Sequence, residues 1–279
     1  MKYKIIVDSC CELPQKFKAD ERFETVPFTL IVGDNYEKED NEDFDQKEFL
    51  AVVASSTECP KSACPSPERY LQAYTANAEH IYVVTLSSKL SGSHNSAMLG
   101  KKLYHEKYGN KDIYIFDSKS ASCGETQIAI KIVEWEDMGL SFEEIIQKTE
   151  NFINEMHTYF VLDNLDTLRK NGRLSGIKSL AASALNIKPV MAGSDGNIVQ
   201  LGQAVGIKKA LAKMVDYVLG DASETEKKNL MITHCNNPER AECVKKQLLS
   251  KAQFKEVFIM DTAGISSMYA NDGGVIVTL

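Results

Sequence analysis

The chain has 279 residues, of which 43% are hydrophobic and 25% charged, a balance that excludes a disordered or fibrous protein and a length that favours two domains over one. A net charge of −7 argues against nucleic acid as the main partner, because binding a phosphate backbone takes a concentrated basic surface. No apolar run approaches the length of a signal peptide core or a membrane span, so a cytoplasmic location is expected.

In chain order, β-like runs at residues 3–7, 25–32, 81–86 and 113–116 alternate with helical stretches at 46–54, 67–78, 91–108 and 126–138. This alternation is the pattern of a parallel sheet with crossover helices. A helix over 141–155 leads to a strand at 158–162, where the domain boundary falls, so the chain divides into an α/β domain of residues 1–157 with a mostly parallel sheet and a second α/β domain of residues 158–279. The second half starts with a helix over 165–171 and a hairpin over 187–204 that turns at 194–197. Pro189 in its first strand points to a sheet edge, since proline cannot donate to a ladder. Helices at 207–219 and 238–250 and strands at 229–234, 256–260 and 275–279 complete the chain.

The strands of the first half end on short polar residues, namely Asp8 with Ser9, Ser87 with Ser88, and Asp117 with Ser118. Ligands of open α/β sheets sit beyond such carboxyl ends. Two hydroxyl-rich stretches, KSACPSP at 61–67 and LSSKLSGS at 86–93, precede helices, whose N-termini favour carboxylates and phosphates. Ser66, followed by Pro67 and Glu68, reads as a helix cap. One helix needs one cap, so Ser62, Ser91 and Ser93 are candidates for holding an acidic ligand. Asp8 and Ser9 are candidates for supporting those loops, and Arg173 for meeting a phosphate or a partner.

Several chemistries lack their residues. The sequence holds no GxxxxGK[ST], GxGxxG, HExxH or GxSxG, and the SxxK match at Ser175 to Lys178 lacks its companion motifs. The seven cysteines form no CxxC pair and read as reduced thiols, so no metal site is expected. His94 follows Ser93 directly, and adjacent residues on a helix do not face each other, so a serine–histidine dyad is not expected there.

The serine loops together with LDTLRKNGRLS at 165–175, NIKP at 186–189 and KKA at 208–210 resemble, in order and spacing, the DegV family of fatty-acid-binding proteins. The resemblance implies two α/β domains with a ligand slot between them, one long-chain fatty acid such as palmitate in that slot, and no cofactor or metal. It also implies a separate ATP-dependent fatty acid kinase subunit that phosphorylates the bound acid, and it allows transient membrane contact. Carried over by position, Ser62 stands for the family's loop threonine, and Ser91, Gly92 and Ser93 fall on its SGT-like turn. Tyr269, in YANDG at 269–273, stands where the family has a histidine, and Cys64 where glutamine is usual.

Roughly 15 buried methylenes at about 0.8 kcal/mol each offer about 12 kcal/mol, against association costs of about 4 to 15 kcal/mol. The tail should therefore supply affinity and the head group orientation. Two other readings stand beside the kinase-linked one: a stand-alone lipid carrier, and a serine-dependent acyl hydrolase or transferase.

Overall fold

The computed structural model describes residues 1–174 and 186–279, so the Ser175 to Lys178 match lies outside the described residues. The first part of the chain runs β1 (Tyr3–Asp8), α1 (Gln15–Lys18), β2 (Phe23–Val26), β3 (Thr29–Val32), β4 (Tyr36–Glu39), α2 (Gln46–Ser55) and β5 (Lys61–Ala63). It continues with α3 (Pro67–Tyr74), β6 (His80–Thr85), α4 (Ser93–Tyr108), β7 (Asp112–Asp117), α5 (Cys123–Asp137) and α6 (Phe142–Glu155). From there follow β8 (Thr158–Val161), α7 (Asp166–Lys170), β9 (Ile187–Ser194), β10 (Asn197–Val205) and α8 (Ile207–Asp221). The last elements are β11 (Asn229–His234), α9 (Pro238–Leu249), β12 (Glu256–Asp261), α10 (Gly264–Ala270) and β13 (Val275–Thr278).

Strands β2, β1, β6 and β7 form a parallel sheet in that order. Alternation along β1 sends Ile5 and Val7 to one face, where they meet Ile128 and Ile132 of α5, and Ile6 to the other, where Tyr70, Tyr74 and Ala97 of α3 and α4 cover it. The single strand expected over 25–32 is two strands in different sheets. Pro27 breaks the ladder, and β3 pairs with β4 and β5 in a separate antiparallel sheet.

Strands β10, β9, β8, β13, β11 and β12 form a mixed sheet in that order. The edge position expected for the strand carrying Pro189 is not found, because β9 lies between β10 and β8. Pairing to β8 involves only Met191 and Ala192, so at Pro189 the chain has β10 alone beside it and no ladder bond to β8 is lost there. One face of this sheet, with Tyr159, Val161, Val190 and Val277, packs on Met214 and Val218 of α8. The other face, with Phe160, Leu162, Met191 and Ile276, looks toward the parallel sheet.

Between the two sheets runs α5. Residues Cys123 to Ile130 are all buried, because Ile128 and Ala129 serve the parallel sheet while Cys123 and Ile130 meet Met231 of the mixed one. Helix starts follow local chemistry. Ser66 accepts from the Arg69 amide ahead of Pro67, confirming its capping role, and Ser141 and Glu144 form a reciprocal capping box.

Helix α10 joins the three-stranded sheet to the rest. The Asp40 carboxylate accepts from the Gly264 and Ile265 amides at 2.7 and 2.8 Å, and a Cβ on Gly264 would lie 2.4 Å from Leu30 Cδ1 and 2.6 Å from Asp40 Oδ1. A Gly264→Ala substitution is therefore expected to destabilise the fold by about 1–3 kcal/mol through overpacking, read from a lowered urea midpoint at unchanged m-value.

Candidate functional site

The carboxyl ends of β1, β6 and β7 converge, as the strand-end reading expected, and the organiser is Asp8. This buried carboxylate accepts from the Cys10 amide at 3.1 Å, the Leu86 amide at 2.9 Å and the Ser93 hydroxyl at 2.6 Å. Asp8 thereby ties the end of its own strand to the loop after β6 and to the first turn of α4. Ser9, beside it, accepts from the Phe28 amide at 3.0 Å and so fixes the start of β3.

An apolar cavity lies between the parallel and mixed sheets. Its walls include Leu86 and Leu90 from the loop after β6, Phe160 from β8 with Leu162 just beyond it, and Ile265 from α10. Its volume of about 100 Å³ is several times the roughly 10–15 Å³ that one buried water requires. Hydroxyls line it too, yet their polar atoms are spent on protein partners. Ser120 meets Thr158 at 2.7 Å, Ser122 donates to Glu12 at 2.7 Å, and Ser266 lies 3.5 Å from the Cys10 thiol. The surface offered to a ligand is accordingly hydrocarbon.

One end of this cavity holds Arg173 and Tyr269. The guanidinium sits 5.8 Å from the centre of the Tyr269 ring, and its Nε donates to the Leu90 carbonyl at 3.1 Å and one Nη to the Asn171 carbonyl. Its other Nη has no acceptor, and the side chain no ion pair, among the described residues. Burial raises the Tyr269 pKa while Arg173 and the nearby Ser62 hydroxyl work against that rise, so the ring is a neutral phenol at pH 7. Ser62 reaches this end from within β5, where its backbone pairs with Leu30, and not from a helix start as the sequence implied.

The SGT-like turn is placed differently. Ser93 is fully buried, donates its only hydroxyl proton to Asp8 and lies 2.6 Å from the Tyr70 phenol, so its bonding capacity is used inside the protein. Ser91 accepts from the Ser93 amide at 3.1 Å and holds the helix start, and its own proton has no acceptor among the described residues. At Gly92 an added Cβ would lie 3.2 Å from the Cys64 sulfur, a tight contact that the thiol would have to relieve by a few tenths of an ångström. The structure thus brings Ser62, Tyr269 and Arg173 together at the cavity and sets Asp8 and Ser93 behind it. No serine hydroxyl bonds an imidazole among the described residues, and His94 meets Thr85 instead, at 3.3 Å. The described residues hold no group of histidine, cysteine, aspartate and glutamate arranged for a metal ion, and no helix among them is long and apolar enough to cross a membrane.

Sequence reasoning missed the wall of the cavity and a set of buried acids beneath it. Phe160 and Leu162 follow ordinary strand alternation, so nothing in the sequence separates them from core. Glu12 and Glu125 look like surface charges, yet both are buried. Burial pushes Glu12 up to about 7 and Asp40 up to about 6, and burial beside the Asp8 charge drives Glu125 well above the carboxylate range.

Comparison with known proteins places these features. Residues 2–277 match the family model described as "Uncharacterised protein, DegV family". A DegV domain-containing protein of Streptococcus gordonii is 35% identical over 282 residues, covering 99% of this chain and 98% of its own. A crystal structure of a DegV family protein from Ruminococcus gnavus, refined with vaccenic acid, superposes with a TM-score of 0.97 at 53% identity and 99% coverage of both chains. The fatty acid kinase B3 protein of Streptococcus pneumoniae, loaded with linoleic acid, superposes with a TM-score of 0.89 at 32% identity, covering 100% of this chain and 99% of its own.

The raised carboxyl pKa values fix the sign of a pH effect. Glu12 and Asp40 hold their protons more tightly folded than unfolded, so the stability they contribute is present at pH 4 and lost as pH rises through about 6 to 7. The melting temperature should therefore fall between pH 5 and pH 8. Burial lowers the His234 pKa, which acts in the opposite direction over the same window. Comparing Glu12→Gln with the parent by calorimetry isolates the carboxyl, and the variant should show the shallower fall.

Proposed function

The chain belongs to the DegV family, and from that premise we propose that it binds one long-chain fatty acid, with the tail in the cavity between the sheets and the carboxylate at Arg173. The observation that carries this reading is a hydrocarbon-walled cavity with, at one end, a guanidinium that has no ion pair among the described residues. A fatty acid is the ligand with that same polarity: a long apolar body and one terminal charge. The relatives from R. gnavus and S. pneumoniae, crystallised with vaccenic and linoleic acid, support the same ligand class.

The direction of the ligand follows from the cations. Lys119 lines the opposite end, but it already pairs with Asp195 at 3.2 Å and donates to Asn154 at 3.0 Å. Arg173 has no such partner among the described residues, and its planar fork suits a carboxylate. The Tyr269 phenol and the Ser62 hydroxyl beside it supply further donors at the mouth. In this assignment Ser93 is a supporting residue, holding Asp8 and the α4 start in place, and no longer a direct anchor.

The name of the S. pneumoniae relative supports a further step: the bound carboxylate is offered to a separate fatty acid kinase subunit, which supplies the phosphoryl transfer. The chain itself brings no nucleotide-binding motif to that reaction. The same reading takes residues 1–157 and 158–279 as the two α/β units, each contributing one wall. The hydrophobic cluster of the parallel sheet drawing only on residues before 157, and that of the α8 side only on residues after 158, support that division.

Native mass spectrometry tests binding: the chain incubated with palmitate should gain the mass of one acid, and a protein that stays at its apo mass would remove the reading. Hydrogen bonds to a charged group contribute about 1.5 to 3 kcal/mol, so Arg173→Ala should weaken palmitate about 10- to 150-fold. Tyr269→Phe should weaken it less. With Ser93→Ala, the expected change is a lowered melting temperature from the loss of the Asp8 bond.

A further inference from the structure

The mixed sheet gives the cavity a floor whose register can be followed residue by residue. Along β8 and just past its end, Thr158, Phe160 and Leu162 all line it, and the four steps from Thr158 to Leu162 span about 13 Å at about 3.3 Å each. Leu162 belongs to the same cluster as Leu168 and Tyr269, at the Arg173 end. Thr158 marks the other end. There Ser120 bonds to it, and the pairing of Tyr159 with Ala192 and Phe160 with Met191 brings Gly193 of β9 beside it.

Gly193 is a glycine without a backbone need. Its φ is not in the left-handed region, so an L side chain costs no strain there. A Cβ built on it would lie 3.6 Å from Thr158 Cβ and 3.8 Å from the Lys119 carbonyl oxygen, both ordinary contacts. The neighbouring glycine of the hairpin behaves differently: Gly196 has φ +78° and a Cβ there would lie 2.7 Å from the Ser87 hydroxyl. Strand alternation puts Gly193 on the face of Met191, toward the cavity, while Ala192 faces α8. A missing side chain on the floor, at the end far from the cation, leaves room that only the last carbons of a tail would fill.

Resting on the fatty-acid reading above, we infer that Gly193 sets the maximum tail length, its absent side chain admitting the terminal methylenes of long acids. The rest of the wall cannot shorten the tail in the same way, because Thr158 and Ser120 are locked to each other and the hairpin tip is held by the bond from the Ser87 hydroxyl to the Gly196 carbonyl at 2.8 Å. A side chain at position 193 would project into the space with no neighbour to displace.

The test measures dissociation constants of dodecanoic and octadecanoic acid for the full chain and for Gly193→Val. Each methylene left unburied weakens binding about fourfold, so losing two should raise the ratio of dodecanoic to octadecanoic affinity about tenfold or more in the variant. Gly193→Ala, whose Cβ meets nothing closer than 3.6 Å, should raise the ratio about fourfold and serves if the valine variant unfolds. A ratio equal to the parent's in a folded variant overturns the length role while leaving fatty-acid binding intact. A parent chain that binds neither acid overturns both.

Discussion

Everything at the site is hung on the buried Asp8 carboxylate. A charge without solvent survives only if donors surround it, and Asp8 collects two backbone amides and one hydroxyl from three separate segments. That requirement joins the end of β1, the loop after β6 and the first turn of α4 into one frame. Burial raises the Asp8 pKa, and the Ser93 hydroxyl and the Leu86 amide oppose that rise. Glu125 sits in the same interior with no hydrogen-bond partner of ordinary geometry among the described residues, and burial, together with the Asp8 charge next to it, keeps it protonated and neutral. A second ionised carboxyl there would repel the first, so the frame tolerates one charge and one acid.

The same frame orients helix α10. Asp40 and Glu12 accept from the amides of Gly264, Ile265 and Ala263, and this start fixes Ile265, Ser266 and Tyr269 along the cavity. Acids from early in the chain therefore set the position of residues near its end. The cavity is apolar despite its serines for a related reason. Each serine that borders it is bonded backwards into this interior or across to the mixed sheet, as Ser122 is to Glu12 and Thr233. Polar atoms face the protein and carbon faces the ligand.

Much of the architecture follows from sequence because its causes are local. Alternation of β and helical patterns, the Ser66 and Ser141 caps, the hairpin turning at Asp195 and Gly196, and the polar residues ending β1, β6 and β7 all arise within a few residues of each other. Where expectation failed, the cause lay further off. Pro189 reads as an edge residue, yet β9 is internal because β8 pairs with it two residues later, at Met191 and Ala192. Residues 264–270 show no amphipathic stripe, since α10 is enclosed on nearly every side and its placement comes from Asp40.

Hydroxyl-rich loops after β-like runs can be read directly from the residues, and so, through its resemblance, can the family. Which hydroxyl does what depends on the folded chain. A serine has one proton, and whether that proton is available depends on what lies across from it. For Ser93 the partner is Asp8, 85 positions earlier. For Arg173, the deciding fact is the lack of a carboxylate partner among the described residues, together with the Tyr269 ring from α10, whose centre lies 5.8 Å from its guanidinium. Such pairings are set by how the two sheets close on each other, over distances in the chain that no local pattern records.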